Sequence, residues 1–328
     1  MLSPKSLRPN PARSSAVRQI NLNYYHGNPF MQSKPAILLA GALALAPVLA
    51  QAETQHSHWG TRWQRLPATP AAVVGMQTDY IEVNGIQLYY ATLGQGSPVI
   101  LLHGGLANSD YWGFQIPELA KHHQVIVVDS RGHGRSTRDP RPYGYDLMTD
   151  DIIALMDRLA LPTAAIVGWS DGAVIGLDMA IRYPQRVSKV FAFAPNTTTH
   201  GVKTGLENNP LFAAYIARAG EEYKKLSKTP DDYQAFIKQI GQMWQSQPEW
   251  RDEDLRNITA PVVIVNGDHD EAIDRGHLEY IAATIPAAGR LILPTVSHFA
   301  FLQAPKEFTD AVIHFLDDQP ATGVNPPN

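Results

Sequence analysis

The chain contains no cysteine. Its absence excludes thiol nucleophiles, cysteine-ligated zinc, disulfides and an amino-terminal lipidated cysteine, while by itself assigning no compartment. Positive charge is also in short supply: 27 Lys and Arg against 31 Asp and Glu leave a formal charge of −4. With no basic run carrying interleaved aromatics, nucleic acid is not an expected partner. The 12 His are scattered and show neither H-E-x-x-H nor another close ligand spacing, so neither a metal nor any other cofactor is expected. Long apolar runs are missing too. The best candidate, residues 35–50, is shorter than the roughly 20 residues a membrane span needs and is broken by Pro47.

What is present suits a globular enzyme-sized chain. Its 328 residues, 44% hydrophobic and 18% charged, can bury a large core. Residues 1–30 hold Lys5, Arg8, Arg13 and Arg18, no acid and several prolines, with no amphipathic period. The next segment is more informative. From Met31 a short positive stretch with Lys34, the apolar run and Ala50-Gln51-Ala52 make the pattern of a secretory signal peptide. The expectation is translation from Met31, cleavage after Ala52 and a periplasmic or secreted protein without stable membrane insertion. An amino-terminal membrane anchor is the alternative, and an organelle transit peptide in residues 1–30 is disfavoured by its prolines. Removing residues 1–52 deletes five basic residues and no acid, taking the formal charge from −4 to −9.

Residues 53–76 read as an extended lead-in. Tyr80 to Val83, Asn84-Gly85 and Ile86 to Tyr90 then give a strand, a tight turn and a strand. Continuous apolar runs follow at Val99 to Leu102, Val125 to Val128, Ala164 to Val167, Val190 to Phe193 and Val262 to Val265, as expected of strands covered on both faces. Helical spacing lies between them, at Leu147 to Leu159 and Ala173 to Ile181. The predicted class is therefore α/β, a mostly parallel doubly wound sheet spanning residues 77–318. Residues 196–257 are too long for one crossover and carry helix-like segments at Leu211 to Leu226 and Tyr233 to Trp244, which predicts a helical cap. Residues 319–328 have the composition of a disordered tail.

Gly168-Trp169-Ser170-Asp171-Gly172 sits between a buried-type strand and a helical pattern. That context is what a serine nucleophile on a sharp strand-to-helix turn requires, with small residues letting the backbone fold back. A serine hydroxyl needs an adjacent base, and the base needs a carboxylate to fix its tautomer. Downstream, Asp268-His269-Asp270 follows the strand Val262 to Val265, and His298 follows the strand Leu291 to Leu293. Either Asp268 or Asp270 could serve as the acid, whereas Pro195-Asn196 after the preceding strand offers no carboxylate.

His103-Gly104-Gly105, Asp129-Ser-Arg131-Gly132-His133-Gly134-Arg135-Ser136, the Ser170 pentapeptide, Gly267-Asp-His-Asp270 and Ser297-His298-Phe299 follow one another in an order that resembles the α/β-hydrolase family. The resemblance covers about Tyr80 to Leu316. It implies Ser170 as nucleophile, Asp270 as acid, His298 as base, and the backbone NH groups of Asp171 and Gly105 as an oxyanion hole, with Leu106 the alternative to Gly105. It makes His103, Arg131 and His133 loop-stabilising residues; His122, His123 and His269 read as exposed polar side chains. Trp169, Asp171 and Leu106 are candidate contacts to a small-molecule substrate. Asp171 has two readings, a helix-start charge or a receptor for a substrate ammonium, since Trp-Ser-Asp-Gly also resembles hydrolases of amino-acid esters such as valacyclovir. In the cap, Phe212, Tyr215, Tyr223, Phe236 and Trp244 either line a pocket or pack onto the sheet.

The expected activity is hydrolysis of a small-molecule carboxylic ester through an acyl-enzyme. Alternatives are lactone, carbon-carbon bond or amino-acid ester hydrolysis, cofactor-free perhydrolysis, or a ligand sensor on the same fold. A dehalogenase or epoxide hydrolase of this family would need Asp at position 170.

Overall fold

The computed structural model describes residues 58–286 and 288–318, so the signal-peptide, cleavage and tail expectations fall outside the described residues. Eight strands form one sheet: β1 (Gln77–Val83), β2 (Ile86–Leu93), β3 (Ser97–Leu102), β4 (His123–Val128), β5 (Ala164–Trp169), β6 (Val187–Phe193), β7 (Val262–Gly267) and β8 (Gly289–Leu293). Their order is β1-β2-β4-β3-β5-β6-β7-β8. β2 is antiparallel to both neighbours, and the pairings from β4 through β8 are parallel. The opening hairpin turns on Asn84 (φ 42°) and Gly85 (φ 81°). Two successive positive φ values are what a two-residue turn needs to match strand twist, which is why Asn-Gly serves there.

Both faces of the central strands are covered, and this explains their uninterrupted apolar sequences. Toward one face, Ile166 of β5 and Val190 of β6 meet Gly176 of the helix Asp171–Arg182, against which the helix Tyr145–Arg158 packs. Toward the other, Phe191 and Phe193 pack on Phe308 of the helix Pro305–Asp317, whose ring also meets Trp112 and Phe301. Adjacent residues of β6 therefore serve opposite layers, as the two-residue strand period dictates.

The insertion between β6 and β7 is helical. Its main helices, Pro210–Leu226 and Tyr233–Trp244, both follow strong start signals: Asn209 caps the first through Leu211 and Phe212 amides ahead of Pro210, and Pro230 opens the turn before the second. The cap is tied to the sheet loops at several points. Arg138 reaches Asp232 and Gln239, and the Tyr215 hydroxyl donates to the Gly105 carbonyl. Residues 58–76 of the lead-in are docked on the same end of the molecule, after a short turn of helix at His58–Gln64. Arg62 bonds Glu307 and the Pro294 carbonyl, Gln303 bonds the Trp63 and Arg65 carbonyls, and Thr69 bonds Glu222 of the cap. Among the described residues no helix is long and apolar enough to cross a membrane.

Phe308 is fully buried at the meeting point of this aromatic layer. Phe308→Ala should lower the unfolding free energy by about 3–5 kcal/mol in urea titrations, through lost burial and the cavity left behind. A loss below about 1 kcal/mol would show that this layer is not part of the cooperative core.

Candidate active site

The sheet order places β3 between β4 and β5, so the loops leaving β3 and β5 run to opposite sides and open a crevice at their carboxyl ends. Ser170 stands there. Its backbone is at φ 54°, ψ −118°, a conformation a non-glycine residue rarely adopts, and its amide donates to the Phe193 carbonyl at 2.8 Å. The helix Asp171–Arg182 starts immediately afterwards and closes onto the strand ends. A Cβ on Gly168 would overlap the Gly172 carbonyl, and one on Gly172 would overlap that of Leu102. These two glycines are therefore required by backbone packing, not merely by a flexible turn.

The β3 loop supplies the facing surface. Leu106 has φ 68°, a left-handed conformation rare for a leucine, and it is buried. Among the described residues neither the Gly105 nor the Leu106 amide has a backbone partner. The Asp171 amide is the first of the helix, where no intrahelical acceptor exists. His103 holds the loop: its Nδ1 donates to the Gly104 carbonyl at 2.7 Å, and its Nε2 accepts from the Ser130 amide at 3.0 Å. Burial pushes this imidazole below its ordinary value, so it is neutral and has both nitrogens engaged. His133, likewise buried, is pushed down to about 3 and bonds the Arg131 carbonyl. Arg131 pairs with Asp151 and Asp139.

The loops after β7 and β8 are joined by main-chain bonds from Asp268 to Leu293 and from His269 to Val296. Within this frame the Asp270 carboxylate meets His298 Nδ1 at 3.0 Å. Its Oδ1 also accepts the Ala272 and Ile273 amides, which fixes the carboxylate in place. Asp268 goes elsewhere, accepting the Val296 amide at 3.2 Å. Of the two acids the sequence offered, only Asp270 reaches the histidine ring. Burial alone would push His298 down, but the Asp270 carboxylate, with Glu271 and Asp171 adding smaller contributions, holds it above the ordinary imidazole value. The rings of Trp169 and His298 are 5.8 Å apart, so the residue preceding Ser170 touches the histidine.

Asp171 is more than a helix-start charge. The residue is 8% exposed, and its carboxylate accepts the Tyr145 hydroxyl at 2.9 Å and the Trp244 indole NH at 2.9 and 3.1 Å. Burial raises its carboxyl to about 6, against the lowering effect of these two donors and of His298. Trp244 also lies over Gly105, where an added Cβ would collide with the indole. The carboxylate thus ties the last turn of the second cap helix to the serine loop. Neither sequence reading of Asp171 included these partners, which lie 26 and 73 residues away and carry no local signal.

Other expectations need correction. Trp169 is 1% exposed and enclosed by Tyr111, Tyr215, Phe299 and Phe301, so it supports the serine from beneath instead of presenting a surface to substrate. His123 was expected to be exposed and is buried at the start of β4, 3.4 Å from Asp317. His122 is exposed, and His269, also exposed, stacks on Trp63 at 4.4 Å. Of the cap aromatics, Tyr215, Tyr223 and Phe236 are buried in packing contacts, whereas Phe212 and Trp244 are half-buried. Glu271, which accepts the His298 amide at 3.0 Å, drew no notice in the sequence.

A sheet of this order, with a strained serine after β5 and an acid-histidine pair after β7 and β8, is the α/β-hydrolase fold. A family model of the alpha/beta hydrolase fold matches residues 97–238 of the chain. Among similar proteins is the serine hydrolase BPHL of Mus musculus, 28% identical over 76% of this chain and 90% of its own length. A pimeloyl-[acyl-carrier protein] methyl ester esterase of Nitrosospira multiformis is 26% identical over 70% of this chain and 98% of that protein. Among solved structures, an N-acyl homoserine lactone degrading enzyme superposes with TM-score 0.60 at 26% identity, covering 72% of this chain and all of the other. A meta-cleavage product hydrolase of Pseudomonas fluorescens IP01 superposes with TM-score 0.66 at 24% identity, over 73% of this chain and 97% of its own, and shares the fold. The protein is a hydrolase.

The Asp171 carboxyl allows a direct check of this geometry. Because its folded-state value of about 6 lies above the ordinary 3.8, ionising it costs stability as pH rises between those values. Asp171→Asn, which keeps one oxygen acceptor, should melt above the wild-type protein at pH 8. The gap, up to about 3 kcal/mol, should close toward pH 4. A gap that does not change with pH would contradict the burial of an ionisable group at this position.

Proposed function

We propose that the protein is an exported serine hydrolase that cleaves a small-molecule carboxylic ester through an acyl-enzyme. The observation that carries this reading is the 3.0 Å bond between Asp270 and His298 Nδ1 beside the strained Ser170 loop. With Nδ1 donating to Asp270, Nε2 is the nitrogen that exchanges a proton with Ser170. Ser170 Oγ attacks the ester carbonyl as His298 takes its proton. The resulting oxyanion lies against the Asp171 amide and that of Gly105 or Leu106, which are oriented before reaction begins. Collapse of this intermediate expels the alcohol, protonated by His298, and leaves Ser170 acylated. Water then attacks by the same proton route, releasing the acid and regenerating the serine. The esterase and lactone-degrading relatives support oxygen-ester chemistry over carbon-carbon cleavage. Two donors already engage the Asp171 carboxylate, which favours plain acyl esters over amino-acid esters.

Ser170→Ala should abolish both labelling by an organophosphate and turnover of a chromogenic panel of acyl, aminoacyl and lactone substrates. Labelling that persists at another residue would refute the nucleophile assignment, and a single burst without sustained turnover would favour a ligand sensor. Since the unprotonated imidazole is the active form, kcat/KM should rise with pH, with its midpoint above the ordinary histidine value because of Asp270. An acid limb centred well below that value would contradict the proposed base.

The export reading rests on the leader pattern of residues 31–52. Amino-terminal sequencing of protein recovered outside the cytoplasm should begin at Glu53. A first residue well before it would overturn the cleavage assignment.

A further inference from the structure

Two consecutive acids grip one histidine in this structure. Asp270 takes the ring of His298 at Nδ1, while Glu271 Oε2 accepts the His298 backbone amide at 3.0 Å. The arrangement follows from the tight turn after β7: Asp270 Oδ1 accepts the amides of Ala272 and Ile273, curling the chain. Glu271 is thereby left against the β8 loop. The amide it binds belongs to a residue only 2% exposed, so without Glu271 a buried donor would lose its partner. Glu271 Oε1 is buried and has no hydrogen-bond partner among the described residues, an unusual placement for a carboxylate oxygen.

We propose that Glu271 is a positioning residue for His298, anchoring the histidine's main chain on the acid loop and adding a second negative charge beside it. The inference rests on the reading of His298 as the base acting on Ser170. The charged groups facing His298 are Asp270 and Glu271 from the acid loop and Asp171 from the helix after Ser170. Lys203 donates to the Asp270 carbonyl from the segment entering the cap. Burial first, and the Asp270 charge second, hold the Glu271 carboxyl above the ordinary value, while His298 lowers it. The two functions separate chemically. A carboxamide at position 271 keeps an oxygen for the His298 amide but carries no charge; an alanine provides neither.

The test compares Glu271→Gln and Glu271→Ala in the full chain, following the His298 ring by NMR titration, assigned with His298→Asn, alongside pH profiles of ester turnover. In Glu271→Gln the His298 midpoint should fall by about half a pH unit or more, with kcat on the alkaline plateau within about threefold of wild type. In Glu271→Ala kcat should fall tenfold or more, with KM changed less than threefold, as expected of a misplaced base. A His298 titration unmoved in Glu271→Gln overturns the proposal, and so does an alanine variant with undiminished kcat. Should the alanine variant fail to fold, the NMR midpoint of Glu271→Gln decides alone. Failure of the serine-hydrolase reading is separately visible as turnover that survives Ser170→Ala.

Discussion

A serine backbone held at positive φ between a buried parallel strand and the start of a helix is the constraint from which the rest of the site follows. A non-glycine residue in that conformation costs on the order of 1–3 kcal/mol, and it persists because its surroundings leave no alternative. All six residues of β5 are buried, the Ser170 amide is bonded to β6, and the helix beyond is packed so closely that neither Gly168 nor Gly172 could carry a side chain. Relaxing the serine would mean moving the helix off the sheet. The same close packing puts the Asp171 amide, with its unspent hydrogen, at the mouth of the crevice.

Charge is distributed around that point in a consistent way. Asp270 and Glu271 approach His298 from the acid loop and Asp171 from the helix after Ser170, and all three are largely removed from water. In such surroundings each anion is costly to bury alone, and each favours a positive imidazole. The histidine is therefore prepared to accept a proton, as its proposed role as base to Ser170 requires. Asp171 adds a mechanical link. Its carboxylate accepts from Trp244 at the end of the second cap helix and from Tyr145 at the start of a helix on the sheet, so cap, serine loop and β3 loop meet at one side chain.

The lead-in also contributes to this end of the molecule. Gln303 bonds the Trp63 and Arg65 carbonyls, and also joins Ser297 through its amide and hydroxyl. The segment preceding the sheet thus braces the loop that carries His298. Composition alone suggested an extended stretch there, and an extended stretch has no internal period from which its docking partners could be read.

Local chemistry determined much of what could be read directly. Asn84-Gly85 specified its turn because few residues tolerate positive φ twice in succession, and the apolar runs specified strands because a sheet covered on both faces has no polar side. Ser170 and His298 stood out for the same reason, each just beyond a strand in a glycine- or serine-bearing loop. What the chain order could not reveal depended on distant segments meeting. The family resemblance already pointed to Asp270 over Asp268, but the contact of its carboxylate with the His298 ring required the two loops to be set side by side. The burial of His123 depended on the neighbouring elements at the foot of β4, and the engagement of Asp171 on Tyr145 and Trp244. Sequence fixes conformational preferences over a few residues, whereas burial and hydrogen-bond partnership are properties of the assembled neighbourhood. Only the tertiary structure decided which acids face the histidine and which side chains close over the serine.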